Sequence, residues 1–304
     1  MNWIFECYRE IIPEFSQFCK SLTFPLPLCL RVNTLKIELA RLMRIFDEKG
    51  IRVLPTGSRD ETVFHAPDLK YPGKLIEYFT GYIHPQALTS CLASPVLSPG
   101  PGDQVLDLCA SPGGKTSHLA QLMKNRGLIV ANELHVKRHI SLAHTMARLG
   151  VVNTVFTAYQ AQEFPLKQDY DYVLADVPCS GEGRIRNTRE GSLREWDRET
   201  SFYGRLVMLQ KRIIIRGYDL LKQNGEMLYA TCTYNPDENE SVVNFLLENR
   251  NAELLPISTG FHHEPGLTRW RDQSYDKQLE LAARFYPHRV DSVGFFMARI
   301  VRRG

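Results

Sequence analysis

Two cysteines stand in short segments whose neighbours also carry chemistry: Cys179 in ADVPCSGEG and Cys232 in YATCTYNPDENE. A thiolate adds to carbon 6 of a pyrimidine and turns carbon 5 into a nucleophile, and a second thiol nearby can help undo the adduct. Asp176 lies three residues before Cys179, directly after the strand-like run 171–175. A carboxyl there can hydrogen-bond the exocyclic amine and ring nitrogen of a flipped cytosine, which also separates cytosine from uracil. Each residue has a plainer reading, since free cysteine is mostly a small buried hydrophobe and an Asp at a strand end is usually a cap. Both thiols, however, fall just past the carboxyl ends of expected parallel strands, where they would face one cleft.

Carbon-5 chemistry of this kind needs a methyl donor, and DLCASPGGKTSHL offers a place for one. The run 105–108 (VLDL) reads as a buried strand entering a tight turn and then a helix. CASPGGKT nearly spells the phosphate loop G-x-x-x-x-G-K-[ST], but Cys109 occupies the first glycine position and removes the wide phosphate cradle. A turn whose Gly113 and Gly114 let the backbone approach a ligand closely suits S-adenosylmethionine better. Glu133 ends the next strand, where an acid in doubly wound folds binds the two ribose hydroxyls of an adenosine; otherwise it is a helix N-terminal acid favoured by the macrodipole. Lys115 opens the helix after the turn and either lowers a thiol pKa and orients substrate or is a solvated lysine.

The chain further carries RVNTLK at 31–36, GYIHPQALTS at 81–90, CASPGGKT at 109–116, ANE at 131–133, DVPCSGEG at 176–183, TCTYNPDENE at 231–240 and GFFMARI at 294–300. In this order the motifs resemble those of the Nol/Nop/Sun family of S-adenosylmethionine-dependent RNA cytosine-5 methyltransferases, in particular its bacterial small-subunit rRNA members. The resemblance implies Cys232 as the nucleophile, Cys179 as the residue aiding release, and Asp176 and Lys115 as further catalytic groups. It implies a cofactor site of Cys109, Ala110, Ser111, Pro112, Gly113, Gly114, Lys115, Glu133, Arg138, Gln160 and Asp176. DNA cytosine methyltransferases supply the competing assignment, because their nucleophile is a proline-cysteine cysteine; they follow it with glutamine, where this chain has Ser180. Arg31 and Asn33 match a segment of the family's RNA-recognition-like N-terminal domain.

Two departures from the family pattern matter. An acid normally follows the third strand to hold the adenine amine, and here Tyr159-Gln160 stands instead; the glutamine carbonyl can still accept that bond. The chain also ends four residues after Ile300, so the expectation is that no appended RNA-binding domain assists it. The N-terminal domain and the segment 184–216 are then expected to carry the RNA. That segment holds nine basic residues (Arg184, Arg186, Arg189, Arg194, Arg198, Arg205, Lys211, Arg212, Arg216) against four acids, with Trp196, Phe202 and Tyr203 among them. Such a run suits phosphate contact and base stacking, or is simply a solvated face.

Composition bounds these readings. At 304 residues, 43% hydrophobic and 23% charged, the chain is of ordinary globular type, and a net charge of +3 means that any RNA affinity comes from local patches. Seven cysteines without a C-x-x-C pair argue against a disulfide framework or structural zinc, and no metal is expected. The N-terminus MNWIFECYREIIPEF lacks a signal pattern and no apolar run spans a bilayer. A cytoplasmic monomer acting on structured RNA (rRNA or tRNA), without a membrane, is expected.

The periodicity predicts helix 37–49, stopped at Gly50, and then strand 105–108, helix 115–125, strand 128–132, helix 135–149, strands 152–157 and 171–175, helix 201–223, strand 226–231, helix 238–249 and strand 293–301. Asp237 and Glu240 read as a capping box, and 258–291 as a long loop or insertion. The expected fold is α/β, with a doubly wound, mostly parallel seven-stranded sheet of Rossmann-like methyltransferase type and a small α+β N-terminal domain, divided as 1–92 and 93–304. Two other functions remain compatible with these features: a non-catalytic RNA-binding assembly factor on the same fold, which would not need the thiols, and a nucleotide hydrolase built on GGKT.

Overall fold

A computed structural model describes residues 5–186 and 200–304. From Phe5 to Phe24 the chain does not form one continuous helix. Pro13 and a left-handed Glu14 (φ 48°) interrupt it, leaving a 3-10 turn at Glu6–Tyr8 and a helix α1 at Phe15–Ser21. Phe5, Phe18 and their neighbours pack on Tyr234 and Tyr286 from the other end of the chain, with ring centroids 5.2–5.4 Å apart for Phe18–Tyr234 and Phe5–Tyr234.

A small α+β unit follows: β1 (Cys29–Val32), α2 (Leu39–Glu48), β2 (Leu54–Pro55), β3 (Val63–His65), α3 (Ile76–Phe79) and β4 (Ile83–Pro85). The strands form an antiparallel sheet in the order β2-β3-β1-β4. Leu42 and Phe46 of α2, one turn apart on its apolar face, join Leu30, Phe64 and Ile83 in the core of this unit. Gly50, at φ 64°, ends the helix as expected.

Next come α4 (Leu88–Leu97), β5 (Gln104–Asp107), α5 (Gly114–Leu122), β6 (Leu128–Asn132), α6 (Val136–Leu149), β7 (Thr154–Thr157), β8 (Tyr170–Asp176), α7 (Thr200–Asp219), β9 (Leu221–Thr231) and α8 (Glu240–Asn249). The chain closes with β10 (Ala252–Leu255), β11 (Glu264–Pro265), β12 (Arg269–Trp270), β13 (Gln273–Ser274), β14 (Ala283–Phe285), α9 (Pro287–Val290) and β15 (Phe295–Arg302). The large sheet has nine strands, not the seven expected, in the order β11-β14-β15-β9-β8-β5-β6-β7, with β10 beside β15. Strands β7, β6, β5, β8 and β9 are parallel, and the others pair antiparallel.

The two extra strands, β11 and β14, come from 258–291, the stretch expected as a loop. Runs of two and three residues are too short for periodicity to register. β14 is inserted by Arg284, whose buried guanidinium meets Glu240 at 2.5 Å. The same pair undoes the expected capping box, because Glu240 turns inward to a charge and α8 has no side-chain cap. No described helix is long and apolar enough to cross a membrane.

The small unit is clamped to the large sheet through RVNTLK. Arg31 is fully buried and donates to Gln121 Oε1, to Ser117 Oγ at 2.7 Å and to the Gly114 carbonyl, all on α5. Asn33 Nδ2 donates to the carbonyls of Gly81 (2.8 Å) and Leu149 (2.7 Å). These two residues are thus internal clamps between the parts of the molecule.

Candidate active site

The apolar runs VLDL, LIVAN and YVLAD place β5, β6 and β8 side by side and buried, so the groups at their carboxyl ends converge. Over those ends lies a cavity of about 1190 Å³, larger than the roughly 300–1,000 Å³ of most small-molecule pockets. Cys109, Ser111, Pro112, Lys115, Arg138, Asp176, Cys179 and Cys232 all line it, together with Phe295 and Arg184.

The two thiols meet, with Cys179 Sγ 3.4 Å from Cys232 Sγ. Their loops are locked in that register by the Gly183 N–H on the Cys232 carbonyl (2.9 Å) and the Gly294 N–H on the Gly183 carbonyl (2.8 Å). A Cβ at Gly183 would collide with the carbonyls of Gly294 and Cys232, so only glycine allows this approach. The pair is electrically uneven. Hydrogen bonding from Cys179 pulls the Cys232 thiol below its usual range, aided by the charges of Lys115 and Arg184, while burial and Asp176 oppose. Cys179 is pushed well up by its bond to Cys232, by burial and by the charges of Cys232 and Glu238. Cys232 is therefore the more acidic thiol of the pair, with the Cys179 sulfur in contact with it.

Lys115 Nζ lies 2.6 Å from Asp176 Oδ2 and 5.3 Å from the centroid of the Phe295 ring. Burial works against the ammonium, but Asp176 outweighs it and holds the Lys115 pKa above its ordinary value. Beneath them Asp107, at the end of β5, is fully buried and accepts from Thr116 Oγ1 at 2.7 Å. Burial, with a smaller contribution from Asp176, raises Asp107 to about 7. Burial and the nearby acids also keep Cys109 a neutral thiol.

On the other flank, Gly113 adopts φ 102° at the N-cap of α5, and a Cβ there would lie 2.7 Å from Met146 Cε on α6. Ala110, Gly113 and Gly114 build this turn, while Cys109, Ser111, Pro112 and Lys115 present it to the cavity. Glu133 is buried: Oε1 accepts the His135 N–H at 2.9 Å, and Oε2 pairs with Arg138 at 3.0 Å. Arg138 also donates to the Ser111 carbonyl at 3.0 Å, bridging the acid to the turn, and its side chain is 52% exposed.

Gln160 stands apart. It is exposed and outside the cavity lining, and its Oε1 accepts from Gln162 at 2.7 Å. The basic segment also divides. Arg184 and Arg186 line the cavity, whereas Arg212 pairs with Glu163 at 3.0 Å, Lys211 lies over Phe245, and Tyr203 donates inward to Glu182. Arg189, Arg194, Trp196 and Arg198 lie outside the described residues.

Sequence reasoning passed over Asp107, Thr116, Phe295, Glu182 and Glu238. An acid inside the apolar run VLDL was the available signal for Asp107, because an acid there is either paired or functional.

The profile of the family described as 16S rRNA methyltransferase RsmB/F matches residues 94–301, from within α4 to the penultimate residue of β15. The chain belongs to that family. Among RsmB/F relatives, the tRNA (cytosine(49)-C(5))-methyltransferase of Pyrococcus abyssi is 33% identical over 291 residues, covering 95% of this chain and 92% of that protein. The 28S rRNA (cytosine(4447)-C(5))-methyltransferase of Homo sapiens is 35% identical over 294 residues. This chain spans 36% of the length of that relative and 45% of the corresponding nematode protein. A crystal structure of a methyltransferase homologue from Pyrococcus horikoshii superposes with a TM-score of 0.82 at 32% identity, covering 94% of this chain and 90% of that one. The RsmB/F methyltransferase fold is thus Rossmann-like here, as expected.

Proposed function

We propose that this chain transfers a methyl group from S-adenosylmethionine to carbon 5 of a cytidine in RNA, through a covalent bond between Cys232 and the base. The observation that carries the reading is the polarised thiol pair, two sulfurs 3.4 Å apart facing one cavity with the Lys115–Asp176 pair beside them. A structural role would not require two thiols in contact beside a lysine–aspartate pair at the carboxyl edge of a parallel sheet.

The residues present fit the donor. The cavity is large enough for a nucleoside-sized ligand beside a flipped base. Gly113 lets α5 start tightly, and Glu133 keeps a carboxylate at the end of β6 behind a half-exposed Arg138 that can swing away. When bound, S-adenosylmethionine supplies an electrophilic methyl.

The chain's own residues do the rest. Asp176 accepts from the exocyclic amine of the cytosine, and the Lys115 ammonium offsets the electron density that moves into the ring as Cys232 sulfur bonds carbon 6. Once carbon 5 carries the methyl and loses its proton, the bond from carbon 6 to sulfur breaks and its electron pair returns to Cys232. The S–H of Cys179, already facing that sulfur, stabilises the departing thiolate. Arg184, exposed beside the cavity, suits phosphate contact, and the small α+β unit within residues 1–92, clamped through Arg31, serves to hold RNA over the mouth. Ribosomal RNA is the first expected substrate and tRNA the second, because relatives with names of both kinds cover most of this chain.

Labelled S-adenosylmethionine with unmodified rRNA and tRNA, followed by mapping of methylated positions, tests the proposal. The expected product is 5-methylcytidine at a defined site. Absence of transfer to any cytidine in either RNA would overturn it.

A further inference from the structure

The residue that follows each thiol, Ser180 after Cys179 and Thr233 after Cys232, ties into one buried acid pair. The Ser180 N–H donates to Glu238 Oε2 at 2.8 Å and the Ser180 hydroxyl to Thr233 Oγ1 at 2.8 Å. Thr233 Oγ1 in turn lies 3.1 Å from Glu182 Oε2 and 3.3 Å from Glu238 Oε1. Gln210 donates both to Glu238 Oε2 (3.0 Å) and to the carbonyl of Pro178 (2.8 Å), just before Cys179. Glu182 also takes the hydroxyls of Tyr8 (3.1 Å) and Tyr203 (3.2 Å).

Glu182 and Glu238 are both buried, and among the described residues the donors that reach them are hydroxyls, an amide and a backbone N–H, with no cation. One hydroxyl proton on Thr233 faces two carboxylates. It can serve only one, so a second proton must sit on the pair or two like charges face each other across a single oxygen.

We propose that Glu182 and Glu238, bridged by Thr233, are positioning residues that hold Cys179 and Cys232 in sulfur contact, and that a negative charge on Glu182, facing the carboxylate of Glu238, loosens that contact. Burial, and then the charge of Glu238, push Glu182 up to about 7 against the hydrogen bonds of Thr233, Tyr8 and Tyr203. Among the described residues, Cys7 from the N-terminal segment and Tyr234 after the Cys232 loop are further titratable groups near it. Glu182 therefore keeps its proton below neutral pH and loses it above.

The catalytic consequence rests on the proposed methyl transfer, but the thiol contact does not, and the experiment separates them. Diamide, which takes two hydrogens from a dithiol, should close a Cys179–Cys232 disulfide in the wild type, more slowly as pH rises through neutrality once the rate is corrected for thiolate content. Glu182→Gln, which mimics the protonated acid, should keep the rate and abolish that slowing, while Glu182→Ala and Thr233→Val should lose it, with circular dichroism confirming that each variant is folded. In methylation, Glu182→Gln should retain kcat and lose its alkaline decline. Glu182→Ala should drop kcat about 100-fold, as for a reacting group misplaced by an ångström, with the S-adenosylmethionine KM unchanged. Closure as expected without any methylation would leave the positioning pair standing and sink only the function. A Glu182→Gln variant as slow as Glu182→Ala, or one with the wild-type pH profile, would overturn the positioning role.

Discussion

Glu133→Ala isolates the cofactor side of the site, and its effect can be worked from the contacts. In the folded chain the carboxylate accepts one backbone N–H, from His135 at 2.9 Å, and pairs with Arg138 at 3.0 Å. The Arg138 side chain is half exposed, so its ion pair is worth at most about 1 kcal/mol, and displacing it to admit a ribose is cheap. Hydrogen bonds to a charged group contribute about 1.5–3 kcal/mol. Truncation should therefore weaken S-adenosylmethionine binding by roughly 10- to 150-fold. Arg138→Ala should change affinity by less than about 1 kcal/mol, because it removes only the cover. Isothermal calorimetry on both variants, with thermal unfolding as a check on the fold, decides the matter. Wild-type affinity in Glu133→Ala, or a larger loss in Arg138→Ala than in Glu133→Ala, would place the ribose elsewhere.

Cys232→Ala should abolish methylation and leave no protein–RNA adduct, whereas Cys179→Ala should accumulate a denaturant-resistant adduct on a gel; the reverse pattern would exchange the two roles. Asp107 bears on stability against pH. Burial raises it from 3.8 to about 7, so between those values the folded chain holds a proton that the unfolded chain has released. Stability should then fall as pH rises from about 4 to about 7, and Asp107→Asn should flatten the trend in urea midpoints; an unchanged slope would assign the trend to other groups. Arg31→Met should remove about 3 kcal/mol of stability by leaving the Gln121, Ser117 and Gly114 acceptors buried without their donor. A loss below about 1 kcal/mol in denaturant titrations would mean that the clamp is idle.

What the residues determined by themselves was local. Alternation of apolar runs with helical spacing located β5, α5, β6, α6, β8 and β15 to within a few residues, and Gly50 marked its helix end, because hydrophobic period and backbone freedom are properties of short stretches. The glycine turn and the two cysteines were also enough to point to one cleft before any packing was known. Only the tertiary structure decided which groups meet. Arg31, matched by resemblance to a segment of an RNA-recognition-like domain, is a buried clamp, because its partners lie about ninety residues away on α5. Gln160, which stands where the family has an acid, bonds to Gln162 on its own exposed turn. Glu240 left its capping box for an arginine forty-four residues on, and that arginine drew β14 into the sheet from a stretch with no periodicity of its own. Tyr8 reaches Glu182 across 174 residues to complete the acid pair under the thiols. A buried charge takes the nearest partner that the closed chain offers, and proximity in the closed chain is not written in any window of sequence.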